Sequence, residues 1–440
     1  MNIVLLSGGS GKRLWPLSND IRSKQFIKIF KTKDGEYESM VQRVYRQIQA
    51  VDKDAAVTIA TSKNQVSTIH NQLGEEVGIC VEPCRRDTFP AIALVTAFLH
   101  YVKGVSLEEA VVVCPVDPYV NQDYFEALKS LGALAQAGDA NLVLMGIEPT
   151  YPSEKYGYII PADKENVSQV STFKEKPDAK TAAEYISQGA LWNGGVFAYK
   201  LKYVLEKAHE LIDFTDYEDL YQKYDTLTKI SFDYAVVEKE PHIQVMRFAG
   251  EWKDLGTWNT LTEAMEESSV GEAIFNETCE NVHVVNELDV PVLCMGLKDI
   301  VVSASPEGIL VSDKEQSSYI KPFVDSIDNQ IMFAEKSWGS FKILDIEEEE
   351  SITIKVTLNP GHRMNYHSHG RRDEVWTIIS GQGRTLVDGM EQPVGPGDVI
   401  TMEAGCRHTI FADTEIKLIE VQLGREIDVN DKQKFELPGE

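Results

Sequence analysis

Residues Asn2-Ile-Val-Leu-Leu-Ser-Gly-Gly-Ser-Gly-Lys-Arg-Leu-Trp-Pro-Leu-Ser18 join a short apolar run to a loop with three glycines, two cations and a proline. The apolar run reads as a β-strand, not as the core of a signal peptide, because no basic leader precedes it. A glycine-rich loop leaving a strand lets the backbone approach a ligand and aims N–H groups at an anion. It is not a P-loop, since Leu6 and Arg13 stand where that spacing needs Gly and Ser/Thr. Nor is it the dinucleotide fingerprint, whose third glycine is Leu14 here. The chain carries a net charge of −26, yet Lys12, Arg13, Arg22 and Lys24 crowd this loop. A local positive field in an acidic protein points to bound phosphate. The overall charge argues against nucleic acid or an anionic membrane as partner.

Working outward, 440 residues suggest two or three domains. Residues 1–265 alternate apolar runs (Asn2–Leu6, Ala56–Ala60, Ala110–Cys114, Leu142–Ile147, Gln244–Phe248) with helical patterns (Ser39–Gln49, Pro90–Tyr101, Gln122–Gln136, Lys202–Leu211). Such alternation predicts an α/β domain with a largely parallel sheet, binding ligands beyond the strand ends. Residues 275–325 hold short strands between turn residues and read as a small β-helix-like unit. Residues 335–440 alternate strands with Gly381, Gly383, Asp388-Gly389, Gly395-Pro-Gly-Asp398 and Gly405, which predicts a small β-barrel. The acidic run Glu347–Glu350 reads as a solvated hairpin tip. The six cysteines show no metal spacing and are expected to be buried free thiols in a reducing cytoplasm. No apolar run is long enough to span a membrane.

The loop, followed by Lys24-Gln-Phe26, resembles the signature of the sugar-1-phosphate nucleotidyltransferases. The whole chain most resembles the mannose-1-phosphate guanylyltransferases in their long form, with a C-terminal mannose-6-phosphate isomerase-like cupin. Further motifs follow in the family's order. They are Glu82-Pro-Cys-Arg-Arg-Asp-Thr-Phe-Pro-Ala91, Pro115-Val-Asp117, Pro149-Thr-Tyr-Pro152 with Tyr156-Gly-Tyr158, Phe173-Lys-Glu-Lys-Pro177, Leu191-Trp-Asn-Gly194, Phe232–Lys239 and Trp252–Trp258. Lys12, Asp87 and Pro118 stand where the family carries Thr, Asn and His.

The resemblance implies a Rossmann-like, GT-A-like mixed sheet, and transfer of GMP from GTP to mannose 1-phosphate, giving GDP-mannose and pyrophosphate. It implies nucleotide contacts at Leu6, Gly8, Gly9, Gly11, Lys12, Glu82, Arg86, Asp87 and Thr88. Sugar contacts fall on Tyr156, Gly157, Glu175, Asn193 and Gly194. Asp117 and Asp254 would hold magnesium, a cation that prefers carboxylates and phosphate oxygens. Arg13 and Lys24 would stabilise charge on the leaving pyrophosphate, and Lys176 would orient the attacking phosphate. No protein nucleophile is needed; positioning and electrostatics carry such a step. The resemblance implies a homo-oligomer, dimer or higher, and the free thiols without a basic leader point to the cytoplasm. Lys12, Asp87, Pro118 and Lys155 keep another base or sugar as an alternative; a metal-dependent isomerase with an N-terminal scaffold and a sugar-nucleotide sensor without turnover are further ones.

A second constellation is Gly361-x5-His367-x-His369-x4-Glu374-x6-Gly381 with His408, which matches the cupin ligand motifs. Histidines at i and i+2 of a strand share one face, and three imidazoles with one carboxylate suit Mn, Fe, Ni or Zn better than Mg. The segment departs from isomerase-type cupins by one extra residue before Glu374, and at Val375, Ile354, Lys355, Glu403 and Ala412. Isomerase activity and a non-catalytic packing or sensing role are both open on these residues.

Overall fold

The computed structural model describes residues 1–9, 11–19, 21–327, 331–428 and 431–438. Ser10 of the opening loop and residues 439–440 lie outside them. The chain divides into two compact units: Met1–Leu14 with Ser18–Glu267, and Trp15–Leu17 with Ser268–Glu440.

The first unit is built on a nine-stranded sheet. Its strands run in the order Gly78–Glu82, Ala56–Ser62, Asn2–Leu6, Ala110–Pro115, Leu191–Lys200, Leu142–Ile147, Ile243–Phe248, Val167–Lys174, Tyr158–Pro161. The first four are parallel; the edge strand Gly78–Glu82 is half-buried, and the other three are Val- and Ile-rich and largely buried, as a sheet covered on both faces requires. Leu191–Lys200 then runs antiparallel to both of its long neighbours, so the sheet is mixed, not largely parallel. Its Asn193-Gly194-Gly195 reads as a turn in sequence. In the fold it is a bulge, where the register shifts between Asn193 and Phe197.

Helices cover the sheet. Met40–Val51 starts at a capping box between Ser39 and Gln42. Thr88–Ala97 is buried at every position from Phe89 to Ala97, because it is apolar all round and lies within the core. It stops short of the expected Tyr101 and passes into a π-turn over Phe98–Val102. Gln122–Ala137 ends at Gly138, whose φ of 82° suits glycine. The loops that follow Asn2–Leu6 and Ala110–Pro115 leave from neighbouring parallel strands, and the Val116 amide donates to the Leu6 carbonyl (3.2 Å).

In the second unit, Ser269–Val270, His283–Asn286 and Ile300–Ser305 pair in parallel. So do Ala273–Phe275 and Val292–Cys294. Val282, Val284, Cys294 and Val302 fill the interior of these β-helix-like coils. A barrel follows, made of a six-stranded and a five-stranded sheet. Trp376, Leu358, Ile410, Ile416 and Leu418 are buried between them, each of the four aliphatic side chains worth ~1.5–3 kcal/mol relative to exposure. Glu348–Glu350 form an exposed tip between Gly339–Glu347 and Ser351–Leu358. All six cysteines are free, but only Cys80, Cys114 and Cys294 are buried; Cys84, Cys279 and Cys406 are partly exposed, which corrects the expectation for those three. Among the described residues no helix is long and apolar enough to cross a membrane.

Candidate active site and metal centre

At the strand ends of the first unit lies an open cleft of about 240 Å³. One end is ionic. Trp252–Asp254 pairs antiparallel with Pro118–Val120, which sets Asp254 opposite Pro118 and beside Asp117. The Lys24 ammonium reaches both carboxylates, at 2.8 Å from Asp117 and 3.8 Å from Asp254, and donates to the Leu255 carbonyl. Burial would lower the Lys24 pKa, but Asp117 and Asp254 outweigh it and hold the group above the ordinary lysine range. Burial raises Asp254, and Asp117 adds to the rise against Lys24. Arg13 is exposed, and its positive charge is felt by both Lys24 and Asp254. Two converging carboxylates, one of them reluctant to ionise, form an all-oxygen donor pair that fits magnesium.

The other end is built to meet hydroxyls. Gly157, Glu175, Lys176, Asn193, Gly194 and Asp233 line it. Glu175 takes the Lys176 ammonium on Oε1 at 2.5 Å, while its buried Oε2 has no hydrogen-bond partner among the described residues. A Cβ on residue 157 would stand 2.5 Å from that oxygen, so only glycine leaves room for it. Lys176 holds φ at 44°, a conformation uncommon outside glycine. The Asn193 amide is fixed at both ends: Nδ2 donates to Asp233 (2.6 Å), and Oδ1 accepts from the Gly195 amide (3.1 Å). Asp233 is raised to about 6, by burial first and the Glu175 charge second. Tyr156 closes the wall against Trp192 and Trp252, with ring centroids 5.0 and 5.5 Å away.

The opening loop presents Gly8 and Gly9 as exposed backbone, with no atom within 4 Å of a would-be Cβ. Gly11 packs closely at φ 62°, where a Cβ would come within 3.0 Å of the Lys24 amide. Lys12, Arg13 and Leu14 form one 3₁₀ turn. The segment expected to hold the purine makes contacts within its own unit. Tyr224 OH donates to Glu82 (2.8 Å), Arg86 Nε to the Tyr224 carbonyl (3.4 Å) and the Phe232 amide to Thr88 Oγ1 (2.8 Å). Asp87, at φ 71°, accepts from the Thr88 amide. None of these four lines the cleft at Asp117.

In the barrel, His367, His369, Glu374 and His408 are buried and bring one ligand atom each within 4.8 Å of one another. Each imidazole is turned by its Nδ1, which meets a main-chain carbonyl: Asn365 O for His367 (2.6 Å), Cys406 O for His408 (3.0 Å) and Asp431 O for His369. The Nε2 lone pairs therefore face inward. His369 Nε2 and His408 Nε2 lie 3.1 and 3.2 Å from the two Glu374 oxygens, and His408 Nε2 has no hydrogen-bond partner among the described residues. Acceptors facing acceptors in a buried cage form a donor set that fits a divalent ion of the later first row. Burial keeps His367 neutral, down to about 2, and lowers His369. Burial opposes the Glu374 carboxylate, while the Arg372 guanidinium bonded to it favours the ionised form. Glu420, buried on the neighbouring strand, is raised to about 7 by burial and by Glu374.

The Nucleotidyl transferase family profile matches residues 2–269, and the Cupin domain profile residues 354–421. The chain belongs to the nucleotidyl transferase family. Its first unit is thus the nucleotidyl transferase unit, and a cupin follows it. The chain is 27% identical to Mannose-1-phosphate guanylyltransferase ManC of Salmonella typhimurium, over 98% of this chain and 97% of that one. It is 26% identical to Mannose-1-phosphate guanylyltransferase of Escherichia coli, over 98% and 97%. A crystal structure described as mannose-1-phosphate geranyltransferase from Thermus thermophilus superposes with a TM-score of 0.60 at 27% identity, covering 74% of this chain and 98% of that one. Asp233, within the Phe232–Lys239 motif, and Arg372, between His369 and Glu374, are site residues that no motif marked. The signal for Arg372 was the extra residue between His369 and Glu374.

Proposed function

We propose that the nucleotidyl transferase unit moves GMP from GTP to mannose 1-phosphate, giving GDP-mannose and pyrophosphate. The observation that carries this reading is the polarity of the cleft. Asp117, Asp254 and Lys24 stand at one end, and Glu175, Asn193 and Asp233 at the other, with Lys176 beside Glu175. A sugar phosphate fits such a cleft lengthwise. The free Glu175 Oε2 accepts a sugar hydroxyl, and Lys176 steadies the attacking phosphate. Gly8, Gly9, Gly11 and Lys12 cradle the triphosphate, and Glu82, Arg86, Asp87 and Thr88 shape the base pocket. Arg13 and Lys24 meet the charge that builds on pyrophosphate. Asp117 and Asp254 would hold magnesium, which supplies charge neutralisation between the two anions when bound. The names of the relatives support guanine and mannose as the pair. The cupin's His367, His369, Glu374 and His408 would hold Mn, Fe, Ni or Zn. The enzyme works in the cytoplasm, where nucleoside triphosphates are, as a homo-oligomer.

The test is pyrophosphate release with magnesium, offering GTP, ATP, CTP, UTP and dTTP against mannose 1-phosphate and glucose 1-phosphate. Release with GTP and mannose 1-phosphate, at least about tenfold above every other pair, is expected. Release confined to another pair would move the substrate and keep the chemistry. Silence in every pair would overturn the reading.

A further inference from the structure

We propose that Arg372 sets the metal affinity of the cupin centre: it is an internal cation that an incoming divalent ion has to displace. The Arg372 guanidinium is buried and bonded on all three nitrogens. Nε donates to Glu374 Oε1 (3.0 Å), Nη2 meets His369 Nε2 (3.1 Å) and Nη1 donates to the Asp428 carbonyl (3.1 Å). Two of these three acceptors belong to the four-group cage. The Asp431 carbonyl holds the His369 Nδ1–H, so His369 has one lone pair to give, at Nε2. That lone pair can take the Arg372 proton or a metal, and not both. His408 Nε2, across the same cage, has no donor among the described residues. Of the three imidazoles in the cage, His369 is therefore capped by an arginine while His408 Nε2 stays open.

Local geometry holds the arginine in place. Arg372 stands two residues before Glu374 at the start of Asp373–Ser380, and in extended chain that spacing puts both side chains on one face. The loop before it is pinned by the Asp431 carboxylate, which accepts from the Gly370 amide (3.0 Å) and the Arg371 amide (2.9 Å). Gly424 packs against its back, where a Cβ would lie 2.7 Å from the Arg371 carbonyl. Arg372 is thus a built part of the cage wall. A fixed positive charge repels a divalent ion in a buried cage, where screening is weak. It also occupies Glu374 Oε1, which an ion would otherwise take.

The test uses the full chain, wild type and Arg372→Met, with Co(II) and Zn(II) titrated against a chromophoric chelator. Cobalt absorption reports ligation, and near-UV circular dichroism reports the Trp376 environment. Arg372→Met is expected to bind both ions at least about tenfold tighter than wild type. Arg372→Lys, which keeps the charge but cannot span three acceptors, is expected to fall between the two. A purely structural arginine would give the opposite sign, because its loss would loosen the ligands. Equal or weaker binding by folded Arg372→Met overturns the proposal. Should that variant fail to fold, Arg372→Lys decides: tighter binding than wild type supports the proposal, and equal or weaker binding overturns it.

Discussion

Asp233 shows how one residue's surroundings give a measurable sign. Its carboxyl is raised to about 6 from 3.8, by burial and by the nearby Glu175 charge. Between about pH 4 and pH 6 the folded chain therefore holds a proton that the unfolded chain has released. Stability falls as pH rises through that window. Asp233→Asn keeps an oxygen for the Asn193 amide and removes the titration. The melting temperature of this variant, relative to wild type, is expected to rise from pH 4 to pH 6 and then level off. The gap corresponds to on the order of 2 kcal/mol. A constant difference across that range would show that Asp233 titrates as an ordinary surface carboxylate. Neither its burial nor its bond to Asn193 was legible in the sequence, because both depend on residues 40 or more positions away.

At the scale of elements, two short strands create the ionic end of the cleft. Trp252–Asp254 and Pro118–Val120 are three residues each, and their ladder places two carboxylates beside one another far apart in sequence. Asp254→Asn keeps that ladder, since only a side-chain atom changes. We expect transfer to fall at least about 100-fold, with a melting temperature equal to or above that of wild type, because a buried repulsion is relieved. Near-normal pyrophosphate release would remove Asp254 from the site. The parallel strands Asn2–Leu6, Ala56–Ser62, Ala110–Pro115, Leu142–Ile147 and Ile243–Phe248 were legible because they are largely apolar, Val-, Ile- and Leu-rich runs; the parallel edge strand Gly78–Glu82, short and opened by glycine, was not. Leu191–Lys200, Val167–Lys174 and Tyr158–Pro161 were not, since glycines and polar residues break their pattern and tertiary pairing decides them. The clustering of His367 and His369 was legible because i, i+2 spacing in extended chain is local geometry. The Arg372 contact was not, since it needs the C-terminal segment at Asp428 to fold back.

Across the whole molecule, two centres of different chemistry lie in separate units. One is made of carboxylate oxygens and an ammonium, the other of imidazoles, one carboxylate and a guanidinium. His367→Ala is expected to abolish tight Co(II) binding and to leave magnesium-dependent pyrophosphate release within about twofold of wild type, as independent sites behave. A larger loss of release would show that the centres are coupled.

The three carbonyls that orient the cupin imidazoles differ in where they come from. His367 and His408 each use the residue two places earlier, so those rings can be set as soon as their own turns form. His369 uses Asp431, 62 residues further on. The first two need no residue beyond their own turns. The third waits until Gln433–Lys434 has docked beside His367–Ser368. Any ion the cage takes up would meet two imidazoles set by their own turns and a third set only by the C-terminal segment, so loss of the chain from Asp431 onward is expected to release His369 alone.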